Sequence, residues 1–93
     1  METEKIAEAS VDRVRYMEAL YEDALSFLKQ GKKTEAGERA VETLTAYMDS
    51  GQWLEDYELD SAGLLPKELK RGVLSQDGLY NLLTDWNAGF LKK

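Results

Sequence analysis

Apolar residues recur along the first third of the chain at alternating spacings of three and four. Over residues 3–30, Ala7, Ser10, Val14, Met17, Tyr21, Ala24 and Leu28 make one stripe, which Leu20, Leu25 and Phe27 widen. That period describes one face of a long amphipathic helix. Thr3 is placed to cap its start, with Glu4 in the positive first turn, and Gly31 offers a left-handed stop behind Lys29. After the short connection GKKT a second helical pattern begins. Thr34 is its expected cap, Ala40, Val41, Leu44, Tyr47 and Met48 share one side, and Ser50 and Gly51 stop it. So short a connection predicts an antiparallel hairpin. At about 1.5 Å per residue its arms are roughly 40 Å and 24 Å long, so the shorter cannot cover the longer.

The second half of the chain changes rhythm. Residues 52–60 predict a short helix with Trp53, Leu54, Tyr57 and Leu59 on or near one face, broken over 61–63. Pro66 suits the first position of another short helix, KELKR, with Leu65 and Leu69 pointing inward and Gly72 ending it. Ser75 then caps a final helix, with Asp77 in its first turn, Leu79, Leu82, Leu83 and Trp86 at core spacing, and fraying after Asn87. Val73-Leu74 is too short to build a sheet. The expected fold is all-α: a small helical bundle, one domain over residues 1–93. In it a long antiparallel helical hairpin (1–51) is closed by short C-terminal helices and turns (52–90). The stripe formed by Ile6, Ser10, Val14 and Met17 is where that second half is expected to supply apolar cover.

Composition removes whole classes of chemistry. The 93 residues contain neither cysteine nor histidine, which excludes disulfides, thiolate metal sites, cysteine nucleophiles and the usual general base. A net charge of −6 disfavours direct contact with nucleic acid. No apolar run is long enough to span a bilayer, and the acidic start METEKIAEAS lacks the basic-then-apolar order of a signal peptide, so a cytoplasmic location is expected.

The densest chemistry lies within residues 53–80. Asp56, Glu58 and Asp60 have the alternate spacing of a calcium loop's first ligands, but the sixth and twelfth positions counted from Asp56 are Ser61 and Lys67, where glycine and glutamate are needed. Asp60 is expected instead to brace the 61–63 turn. There is no phosphate-cradling Gly-Lys loop, no dinucleotide fingerprint and no nucleophile beside a base. No catalytic residue, cofactor or metal is assigned, and no enzymatic activity is expected. Trp53, Tyr57, Tyr80 and Trp86 fit a hot spot or a core, and in so small a chain the core is the expected place for Trp53.

The run WLEDYELDSAGLLPKELKRGVLSQDGLYNLL, together with RVRYMEALYEDAL over residues 13–25, resembles the DUF4298 family, a bacterial domain of unknown function. The resemblance covers most of the chain. It implies a small bacterial cytoplasmic helical domain and brings no activity with it.

Three functional readings follow. The first is a protein–protein interaction module whose unknown protein partner docks on Trp53, Asp56, Tyr57, Asp60, Lys70 and Arg71. The second is an acidic inhibitor that mimics nucleic acid, for which Glu18, Glu22, Asp23, Glu38 and Glu42 would have to form one ridge across the hairpin. A small-ligand or calcium binder ranks last. A homodimer through the long first helix is left open.

Overall fold

The computed structural model describes residues 2–91 and the side chains of residues 8–88. Thr3, Glu4, Ile6 and Ala7, to which the pattern assigns roles, therefore have side chains outside the described residues. Among the described residues four α-helices follow one another: α1 (Glu2–Gln30), α2 (Glu35–Asp49), α3 (Gln52–Ser61) and α4 (Gln76–Leu91), with one 3-10 turn at Gly72–Leu74 ahead of the last. The fold is all-α, and no strand occurs among the described residues.

The hairpin forms as its boundary chemistry predicts. Gly31, at φ 69°, reverses the chain while its own N–H bonds the Leu28 carbonyl at 3.1 Å and that of Lys32 bonds Phe27 at 2.9 Å, a paired ending that satisfies two orphan carbonyls. Thr34 Oγ1 then accepts from the Gly37 N–H at 3.0 Å and caps α2. The pattern places Thr3 at the cap of α1, but the helix begins at Glu2 and takes Thr3 into its first turn.

α4 packs against both arms of the hairpin. The core joins Val14, Met17 and Ala24 of α1, Val41, Leu44 and Tyr47 of α2, and Leu79, Leu82 and Trp86 of α4. Trp86 lies over Gly37, where a Cβ would fall 2.9 Å from ring atom Cζ2 and closer still to Cη2. The glycine is thus a docking notch for the indole. Trp53, Leu65, Leu69, Val73 and Leu74 complete the core, so the second half of the chain does seal the hairpin.

Two predicted elements come out differently. Residues 67–71 are a turn and not a helix: the Leu69 N–H bonds the Pro66 carbonyl at 3.2 Å, and the Arg71 guanidinium takes the carbonyls of both Pro66 and Leu69. A side chain thereby claims acceptors that a helix would have offered to its own backbone. Gly72 opens the 3-10 turn where it was expected to end a helix. α4 also runs on past Asn87, where fraying is expected, and the Asn87 amide bonds the Leu83 carbonyl one turn back at 3.0 Å.

Candidate functional site

α3 turns Asp56 inward, and the carboxylate is fully buried. A buried charge is tolerated only when its lone pairs are met. Here Arg13 of α1 meets them side-on, donating from Nε to Oδ2 at 2.9 Å and from Nη2 to Oδ1 at 2.5 Å, and the Tyr47 hydroxyl of α2 donates to Oδ2 at 2.5 Å. Nη2 of Arg13 also reaches Ser10 Oγ at 3.3 Å and Glu55 at 3.4 Å. This explains why the apolar stripe of α1 contains a serine. The carboxylate hydrogen bond raises the Arg13 pKa against the opposing effect of burial. Burial, and then the bond to Asp56, raises that of Tyr47. Three helices are tied at one point, which orients α3 on the end of the hairpin.

A second tie fixes the 3-10 turn. Val73 is buried and both of its backbone polar groups are taken by side chains. Its N–H donates to Glu18 Oε1 of α1 at 2.7 Å, and its carbonyl accepts from the indole Nε1 of Trp53 at 2.9 Å. Glu18 passes so close to Gly72 that a Cβ there would lie 3.1 Å from its Oε2. Burial raises the pKa of Glu18, the Val73 N–H pulls it down, neighbouring Glu22 raises it, and Lys70 lowers it. Arg15, Glu18, Glu22, Glu68 and Lys70 line a groove of about 270 Å³ at this point.

The six residues expected to form a partner surface separate. Trp53 and Asp56 belong to the interior. Asp60 and Arg71 form an ion pair that pins the loop through the Pro66 and Leu69 carbonyls, so both act as braces. Only Tyr57 and Lys70 are exposed, and Tyr57 stacks on Trp53 with ring centroids 5.1 Å apart and planes 20° from parallel. Asp56 and Asp60, each held by a different arginine, do not converge on a common point as a calcium loop requires. Of the five acids expected to form a ridge, Glu18 is buried and Glu38 pairs with Lys33 at 3.3 Å, while Glu22, Asp23 and Glu42 are exposed.

The pattern missed Arg13, Tyr47 and Glu18 as a set. Ser10 inside an otherwise apolar stripe, with Arg13 three positions on, was the available signal. Among the residues that α3 and the turn after it offer outward are three large apolar ones: Leu54 is 51% exposed, Tyr57 40% and Leu64 45%. No helix among the described residues is long and apolar enough to cross a membrane.

No curated protein and no solved structure matches the chain. The family described as "Domain of unknown function (DUF4298)" matches residues 14–92, a span that holds Tyr47, Asp56, Glu18, Val73 and the whole closing half. The chain belongs to the DUF4298 family.

Proposed function

We propose that this chain is a non-enzymatic protein–protein interaction module whose docking surface is the outer face of α3 and the turn that follows it. The observation that carries this is the exposure of Leu54 and Tyr57 on α3, whose inner face is locked by Asp56, and of Leu64 in the turn that follows it. Large apolar side chains held outward on a rigid backing lose little entropy on binding, which is how compact interfaces concentrate their energy. Exposed Glu55 and Glu58 border the same face, and the whole chain carries −6, so the complementary partner presents an apolar patch with a basic rim. Its most deeply buried acid, Asp56, is sealed from any substrate.

The test is capture from the native cell with the intact chain, followed by a titration of the purified partner. One stoichiometric protein is expected with the wild type. It is lost from Leu54→Asp/Leu64→Asp, whose substitutions lie at exposed positions and leave the circular dichroism unchanged, and kept by Lys70→Glu. Equal binding by the double leucine variant refutes the surface.

A further inference from the structure

A second groove, of about 480 Å³, runs along the hairpin itself, and its lining comes from α1 and α2. Tyr16, Leu20 and Phe27 form the α1 wall, Ala36, Ala40 and Thr43 the α2 side. Tyr16 is 60% exposed, an outlay of aromatic surface that the fold does not use. The groove also carries one acid and one base on opposite walls: Asp23 on α1 and Arg39 on α2. Arg39 is held only by a loose pair with Glu35, 3.7 Å away, in which both side chains are more than three-quarters exposed. Such a pair contributes little and yields readily to a better one.

We propose that this face is a dimer interface and that its occupant is a second copy of this chain. A groove that carries one acid and one base on its two walls is complementary in charge to a copy of itself. A two-fold axis along the groove lays the α1 wall of each copy over the α2 wall of the other. Asp23 then faces the partner's Arg39 and Arg39 faces the partner's Asp23. A foreign partner would need no such balance. With −6 on each copy, association depends on this local pairing of unlike charges against a general repulsion. The surface is distinct from the α3 face, so the two occupancies are independent.

The test is sedimentation equilibrium on the full chain, with Asp23→Arg and Arg39→Asp made singly. Both positions are exposed, and circular dichroism and thermal melting of each variant check that the fold is kept. The wild type is expected to dimerise. Each single variant, which sets like charges face to face, is expected to associate at least about tenfold more weakly. An equimolar mixture of the two variants restores unlike pairs at both contacts and is expected to regain the dimer as a heterodimer. A merely structural role for either residue would not produce that rescue. A wild type that stays monomeric up to sub-millimolar concentration overturns the proposal. So do single variants that dimerise like the wild type, or a mixture that fails to recover.

Discussion

Removing the Asp56 side chain is the most informative single perturbation. Asp56→Ala leaves the Arg13 guanidinium, whose side chain is 21% exposed, without its bidentate partner, and leaves the buried Tyr47 hydroxyl without an acceptor. Breaking a buried pair by deleting one member costs about 3–5 kcal/mol, because the surviving charge stays desolvated. A domain of 93 residues has roughly 5–14 kcal/mol in all, so about a fifth of the stability or more disappears. At an unfolding entropy of about 2.1 cal/mol/K per residue, a loss near 4 kcal/mol lowers Tm by roughly 20 °C. The network's net worth is a separate quantity. Arg13→Met/Tyr47→Phe/Asp56→Leu removes every polar member at once and is expected to recover to within about 2 kcal/mol of the wild type, since apolar replacement of a whole buried ion pair is often close to neutral. Urea unfolding followed by circular dichroism measures both. An Asp56→Ala variant that loses less than about 1 kcal/mol, or a triple variant no more stable than the single, refutes the assignment of Asp56 as a buried, dependent charge.

Other outcomes follow from the same contacts. Gly37→Ala improves helix propensity by about 1 kcal/mol yet drives a methyl into Trp86, so urea melts are expected to show a net loss of about 1–2 kcal/mol; a stabilised variant would show that the indole does not sit in that notch. Glu18 has its pKa raised by burial in the folded state, so its contribution is favourable below the unfolded value near about 4.3 and is lost as pH rises through the folded one. Glu18→Gln keeps an oxygen for the Val73 N–H without the charge, and its stability relative to wild type is expected to be greatest at neutral pH and to shrink on acidification; a constant difference from pH 4 to 8 argues against it. Tyr47, also raised, supports the fold at neutral pH and loses that support above about pH 10, so Tyr47→Phe is expected to flatten the alkaline decline in Tm. Trp53→Phe strips the Val73 carbonyl of its donor and is expected to cost about 1–3 kcal/mol, with faster amide exchange in the Gly72–Leu74 turn.

Much of the architecture was legible residue by residue. Thr34 and Ser75 cap the helices they were expected to cap, Gly31 ends α1, and Trp53, Leu79, Leu82 and Trp86 are core. Capping and turn chemistry act over three or four residues, and hydrophobic period over one or two turns, so both are written locally. The KELKR segment failed for a local reason that propensity does not express: Arg71, oriented by Asp60 from eleven residues upstream, competes for the carbonyls.

The candidate site divides along the same line. A tryptophan amid short helices announces burial by its size alone, and the family resemblance carried in residues 13–25 and 53–83 is confirmed by a match over residues 14–92. Asp56 announces nothing: its neighbours Glu55 and Glu58 look alike in the sequence, yet they lie in water and it does not. Its partner Arg13 is 43 residues away, and Glu18 meets Val73 across 55. The positions of α1, α2, α3 and α4 and the apolar faces of α1, α2 and α4 were determined by the sequence alone, whereas α3 turns Asp56 inward and leaves Leu54 and Tyr57 outward. Which charges lie inside was decided only when α1, α2 and α3 met, because the cost of burying a carboxylate depends on what stands opposite it, and that neighbour exists only in the folded chain.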